Sequence, residues 1–103
     1  MRMLKFYGLS DDLFEIEGTR GDEPDERPAG TVEVKDGDGN GLRVHCDYGV
    51  TGNACWMVGI APIDDGVPIP NWPMSFRLGG RGYSAELTIE APDSAVVSEI
   101  EGY

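Results

Sequence analysis

One segment of the chain has the residue spacing of a calcium-binding loop. The run DGDGNG at 36–41 fits a pattern in which side-chain oxygens at positions one, three and five precede a sharp glycine turn. The candidate ligands are Asp36, Asp38, Asn40 and, at the twelfth position, Asp47. Position twelve is usually a glutamate, and the flanking segments 31–35 and 42–48 alternate as strands do. A hairpin turn is the competing interpretation, because Gly, Asp and Asn favour such turns.

His45, Cys46 and Cys55 are the other residues whose types could bind a metal or attack a substrate. A zinc site needs three or four protein ligands, and neighbouring residues on a strand point to opposite faces. We therefore expect two buried thiols and a surface imidazole rather than a metal site. A disulfide between the two cysteines is a possible alternative if their strands pair. With a single histidine placed beside Cys46, the sequence predicts no enzyme and, calcium apart, no cofactor.

Alternation of apolar and polar residues indicates the elements that position these side chains. It predicts strands near 4–6, 13–17, 31–35, 42–48, 85–90 and 96–100, while the apolar run 54–61 is typical of a central strand covered on both faces. Six or seven short strands predict an all-β or mainly β fold, as a small antiparallel barrel, sandwich or curled sheet.

Two proline-rich segments fall outside this alternation. Residues 18–30 are polar and rich in Pro and Gly, which predicts a mobile loop. Residues 62–73 hold four prolines and Trp72, which predicts a stiff, partly extended loop. Trp72 either anchors a protein partner or folds back as a lid over the open end of the sheet. Arg77 to Gly82 is expected to be a flexible hairpin connection.

Length and charge limit the functions that the chain can have. The 103 residues suffice for one domain, 1–103, and carry nineteen acidic against eight basic side chains, a net charge of −11. Such a balance argues against direct binding to nucleic acid or to an anionic membrane, and favours a basic partner. The first residues are too polar for a signal peptide, so a cytoplasmic location is expected.

The opening FYGLSDDLFEIEG at 6–18 resembles a group of short acidic proteins encoded by bacteria and their phages. Those proteins begin with a strand, a YGxSDDL turn and an alternating strand that ends in EG. The segment 83–90 is similar to their tail. The resemblance covers about a third of the chain; it implies a bacterial or phage origin and a compact β fold, and it implies no settled activity.

Small size, negative charge and a β scaffold are typical of inhibitors that phages use against host machinery, such as anti-CRISPR proteins and other DNA mimics. The expected mechanism is occupation of a basic, nucleic-acid-binding groove by carboxylates, with Trp72 adding specificity. The candidate contacts are Asp11, Asp12, Glu15, Glu17, Asp22, Glu23, Asp25, Glu26 and Trp72. An immunity protein that neutralises a cognate toxin and a calcium-stabilised structural module remain alternatives.

Overall fold

The computed structural model is an all-β protein and describes residues 1–8, 13–19, 23–28, 30–51, 53–78 and 85–99. Nine strands occupy these residues, and none of them is helical. The strands are β1 (Arg2–Gly8), β2 (Leu13–Thr19), β3 (Glu23–Pro28), β4 (Thr31–Lys35), β5 (Gly41–Thr51), β6 (Asn53–Pro62), β7 (Met74–Leu78), β8 (Ala85–Ala91) and β9 (Val96–Glu99). The described residues include no helix that could span a membrane.

The strands form two antiparallel sheets that pack face to face. Sheet A has the order β3-β2-β1-β8-β7, and sheet B has the order β6-β5-β4-β9. One hydrophobic cluster joins them, with Leu4, Phe6 and Leu87 from sheet A and Leu42 and Val44 from sheet B, all fully buried. The result is a small sandwich that does not close into a barrel, so each sheet keeps two edges.

Alternation along the strands explains which residues enter this core. On β5, Leu42, Val44 and Cys46 are fully buried, whereas Arg43 and His45 between them are half-buried on the outer face. Successive side chains on a strand point to opposite faces, so every second residue reaches the other sheet. The predicted burial of the Cys46 thiol is confirmed.

The prediction of a mobile loop at 18–30 is wrong for residues 23–28, which form β3, and for 18–19, which end β2, while 20–22 and 29 lie outside the described residues. β3 pairs with β2 in antiparallel register, with Glu26 opposite Glu15 and Asp25 opposite Ile16. Its prolines, Pro24 and Pro28, obscured the signal. An edge strand tolerates proline, since the missing N–H would have faced outward, and β3 is the edge of sheet A.

A second strand also replaces part of a predicted connection. β7 includes Arg77, which was expected to belong to a flexible hairpin connection, and pairs with β8 through Phe76 opposite Leu87. Together β3 and β7 raise the number of strands above the six or seven predicted. Both are edge strands, and edge strands have only one neighbour to impose a regular apolar pattern.

β6 is a strand as predicted, but its predicted central position is wrong. It is the edge of sheet B and pairs only with β5 among the described strands. The sequence of β6 is apolar on both faces partly because small residues lie on its outer face, where Gly59 is opposite His45. A Cβ at Gly59 would come within 2.8 Å of Cε1 and Nε2 of His45, so the imidazole lies against the Gly59 backbone.

The connection from β6 to β7 crosses from one sheet to the other without regular secondary structure, as predicted for 62–73. A turn at its start is closed by a hydrogen bond from the Val67 N–H to the Asp64 carbonyl, 3.1 Å. Ile63 is buried and Trp72 packs, half-buried, against the core. This placement favours the lid interpretation of Trp72.

Substituting Gly59→Ala tests the contact with His45. We expect a loss of about 1–3 kcal/mol in the free energy of unfolding, because the new methyl group displaces the imidazole. In a His45→Ala background the same substitution should be neutral or stabilising, since glycine weakens a strand interior. Urea unfolding of the four proteins in this double-mutant cycle measures both values. If Gly59→Ala lowered the free energy of unfolding equally in both backgrounds, the new methyl group would clash with the backbone rather than with the His45 imidazole.

Candidate functional site

Five of the eight predicted contact acids lie on one pair of adjacent strands at an edge of sheet A. Because β2 and β3 are antiparallel neighbours, acids distant in sequence become cross-strand neighbours, as with Glu15 opposite Glu26. Thr19 lies opposite Glu23, beyond an irregularity in the register that follows Ile16. We call the set on these two strands the acidic edge: Glu15, Glu17, Glu23, Asp25 and Glu26.

Glu17 is the member of the acidic edge whose surroundings the structure shows most fully. It is half-buried and accepts a hydrogen bond from the Tyr7 hydroxyl, 3.3 Å to Oε2. Lys5 lies directly opposite it on β1. The Tyr7 hydrogen bond holds the Glu17 carboxylate on the outer face of sheet A, and opposite charges on cross-strand neighbours attract each other.

Glu15 differs from the exposed contact that was expected. It lies on the outer face, opposite Tyr7, yet only 4% of it is exposed. Glu86, on the other side of Tyr7, is equally buried, and its Oε1 is 3.1 Å from Nη2 of Arg77. Glu15 and Glu86 are therefore too buried to serve as exposed contact residues.

The structure does not bring Trp72 together with the acidic edge. Trp72 lies two residues before β7, and β7 and β3 are the opposite edges of sheet A. Four strand spacings of about 4.8 Å separate those edges by about 19 Å. Trp72 and the acidic edge therefore do not form one compact patch. Asp11, Asp12 and Asp22 lie outside the described residues.

The DGDGNG segment forms the tight turn between β4 and β5. Oδ1 of Asp36 accepts hydrogen bonds from the N–H groups of Asp38 (2.8 Å) and Asn40 (3.0 Å), and Gly39 has a φ of 86° that favours glycine. The Gly37 N–H donates to Oγ of Ser94 at 3.1 Å. The hairpin-turn interpretation accounts for each of these residues.

The four predicted calcium ligands do not converge. Asp47 lies six residues beyond Gly41 along β5, which places it about 20 Å from the start of the strand at about 3.3 Å per residue. A calcium loop works only if it folds back on itself, and an extended strand prevents that. The described part of the chain also contains no group of three His, Cys, Asp or Glu side chains able to hold a metal.

The cysteines are also kept apart by the sheet. Their strands pair, but Cys46 lies opposite Val58 and Cys55 lies opposite Gly49. Three steps of register separate the two, about 10 Å at about 3.3 Å per residue, beyond the reach of a disulfide. Cys46 is fully buried in the core, as expected, and His45 lies on the opposite face of the strand.

A second acidic surface was missed from the sequence. Three turns lie at the same end of the sandwich, because Lys35 lies opposite both Gly41 and Val96, and Leu42 lies opposite Pro62. We call their carboxylates the aspartate end: Asp36, Asp38, Asp64, Asp65 and Asp93. The N-terminal amine pairs with Asp93 at 3.0 Å. The signal was three Asp-containing turns, but only the register shows that they share an end.

The outer face of sheet A also has a shallow groove of about 190 Å³. Its walls come from three neighbouring strands and the residue before β7, namely Met3, Pro73, Met74, Ser75, Thr88 and Glu90. Met3 is 48% exposed there. The groove lies beside β7, at the edge of sheet A opposite to the acidic edge.

No protein-family model, curated protein or solved structure matches this chain. Its function must therefore be argued from its own residues.

Replacing Asp36 tests whether its carboxylate holds the β4–β5 turn. Asp36→Ala removes the acceptor of two backbone N–H groups and should lower the free energy of unfolding by about 1–3 kcal/mol. Asp36→Asn keeps an acceptor oxygen and should cost less. The neighbouring exposed Asp38→Ala, whose side chain holds no bond in the turn, should change stability by about 0.5 kcal/mol or less. Thermal and urea unfolding measure all three; an equal loss for Asp36 and Asp38 would contradict the assignment.

Proposed function

We propose that the chain is a non-enzymatic binding protein whose acidic edge occupies a basic, nucleic-acid-binding site of a partner protein and blocks it. The setting that fits best is inhibition of a host defence complex by a phage-encoded or mobile-element-encoded protein, of the anti-CRISPR type. The observation that carries the proposal is the placement of Glu17, Glu23, Asp25 and Glu26 on one two-stranded edge, beside the buried Glu15.

The charge of the whole chain supports a basic partner. With a net charge of −11, the protein attracts a positively charged groove from a distance and repels nucleic acid. The opposite face of the sandwich is less suited to the task. There Glu33 is flanked by two cations, with Nζ of Lys35 at 3.6 Å and Nε of Arg43 at 4.0 Å.

The construction of β3 supports contact through side chains rather than through backbone pairing. Pro24 and Pro28 remove two N–H donors from a six-residue edge strand. Prolines and charges on an edge strand are the usual protection against the addition of another strand. The acidic edge therefore offers carboxylates to a partner while resisting extension of the sheet.

Competition with DNA tests the proposal. The tagged protein is incubated with a bacterial lysate, washed, and challenged with a short DNA duplex. We expect captured nucleic-acid-binding proteins to be released by the duplex, because both ligands need the same basic site. We also expect their capture to weaken as salt rises from about 0.1 M to about 1 M, where the Debye length falls from about 10 Å to about 3 Å.

A charge-matched pair of variants locates the contact. The triple variant Glu23→Gln, Asp25→Asn, Glu26→Gln should lose about tenfold in affinity, at about 0.5 kcal/mol for each of three charge pairs. The control Asp38→Asn, Asp64→Asn, Asp65→Asn removes the same charge from the aspartate end and should bind as the unmodified protein does. Equal losses of affinity in both triple variants would show that net charge, and not the acidic edge, causes the binding. In the capture experiment, recovery of a toxin rather than a nucleic-acid-binding protein would favour the immunity alternative.

A further inference from the structure

The two edges of sheet A differ in their chemistry. β3 carries two prolines and three acids, whereas β7 reads MSFRL, with no proline and no acid. Among the described strands, β7 pairs only with β8. An edge strand of this kind, without the usual protection, is a template for pairing with another strand.

The hydrogen-bond pattern shows which backbone groups of β7 face outward. The Glu90 N–H donates to the Pro73 carbonyl at 2.9 Å, so residues 73 and 90 are a hydrogen-bonded pair. Such pairs alternate in an antiparallel ladder, so Ser75 and Arg77 point their N–H and C=O groups at β8. The N–H and C=O groups of Met74, Phe76 and Leu78 therefore point away from β8, toward the open edge.

Phe76 adds an apolar anchor at the middle of this edge. It lies opposite the fully buried Leu87, on the core side of the sheet, yet it is 55% exposed. The exposed ring gives this edge apolar surface that further pairing could bury. A strand added beside β7 would cover the ring of Phe76.

The charge distribution determines which strand can be added. Residues 66–85 contain no acid and two arginines, Arg77 and Arg81, in a chain with a net charge of −11. The nearest described carboxylates, Glu86 and Glu90, lie one strand inward, and Glu86 is held by Arg77 at 3.1 Å. Two copies of so acidic a chain repel each other elsewhere, but their β7 edges bring no carboxylates together.

We infer that β7 is a self-association edge, at which two copies pair antiparallel about Phe76 and join their A sheets into one continuous sheet. Phe76 exchanges two N–H···O bonds with Phe76 of the second copy, and Met74 does the same with Leu78 of that copy. Ser75 lies opposite Arg77, so the arginines do not meet. A two-fold arrangement of this kind closes and stops at a dimer.

The other long edge is less suited to this pairing. β6 leads directly into Asp64 and Asp65, which are exposed. β9, the remaining edge, contains an acid, Glu99, among its four residues, whereas β7 contains none.

Sedimentation equilibrium of the full chain over a wide range of concentration tests the inference. We expect the mass to rise from 11.2 kDa to twice that value. Dimerisation should strengthen as salt rises from about 0.1 M to about 1 M, because screening removes the repulsion between two acidic copies. This salt dependence is opposite in sign to that of the proposed partner binding, so either idea can fail without the other.

Variants of Phe76 identify the edge that pairs. Phe76→Pro removes the central outward N–H, and Phe76→Lys keeps it but replaces the ring by a charge. Each variant should raise the protein concentration at the midpoint of dimerisation by at least about tenfold. Val96→Lys, on β9, changes a residue with a similar exposure of 59% and should leave the midpoint unchanged. Circular dichroism confirms that each variant is folded.

Amide hydrogen exchange provides a second measurement. On concentration, exchange at Met74, Phe76 and Leu78 should slow, whereas exchange at Ser75 and Arg77 should stay constant because those amides already bond to β8. A monomer at every concentration, a dimer that survives both Phe76 variants, a dimer weakened by salt, or a mass that grows beyond two copies would overturn the inference.

Discussion

Burial of alternate residues between the two sheets fixes the register of every central strand. Leu4, Phe6, Leu87 and Ile89 face the other sheet and are fully buried. A slip of one residue on β8 would turn Glu86, Thr88 and Glu90 into the core instead, and burying unpaired carboxylates costs far more than the slip could return. The same constraint therefore places Glu86 and Glu90 of β8 on the outer face.

The two edges of sheet A are the surfaces that we propose for binding, and they differ in their chemistry. β3 combines prolines with acids, so it resists strand addition and presents charge. β7 combines outward backbone groups with an exposed Phe76, so it offers hydrogen bonds and apolar surface. Screening by salt weakens attraction to a basic partner at the first edge and weakens repulsion between copies at the second. In these two proposals, the two edges of one sheet respond to salt in opposite ways.

The sequence predicts the central strands well and the two edge strands of sheet A poorly, for a physical reason. Leu42, Val44 and Cys46 alternate because both neighbours and the opposite sheet impose the pattern, and their burial is confirmed. β3 and β7 have one neighbour each, and prolines in β3 suggest a loop. The aspartate end could not be predicted, because the pairing register of the strands brings its three turns to one end of the sandwich. A local sequence pattern does not encode that register. Likewise, Asp36 to Asn40 satisfies a calcium pattern locally, but the extended path of β5 carries Asp47 away.

The most direct test of the account asks which acidic surface a cation chooses. The ¹⁵N-labelled protein is titrated with an oligolysine peptide, and amide chemical shifts are followed residue by residue at low salt. The account predicts that the largest changes lie along β2 and β3, from Leu13 to Pro28, and that they vanish at high salt. Changes concentrated at the aspartate end, in the turns at 36–40, 62–66 and 92–95, would contradict it.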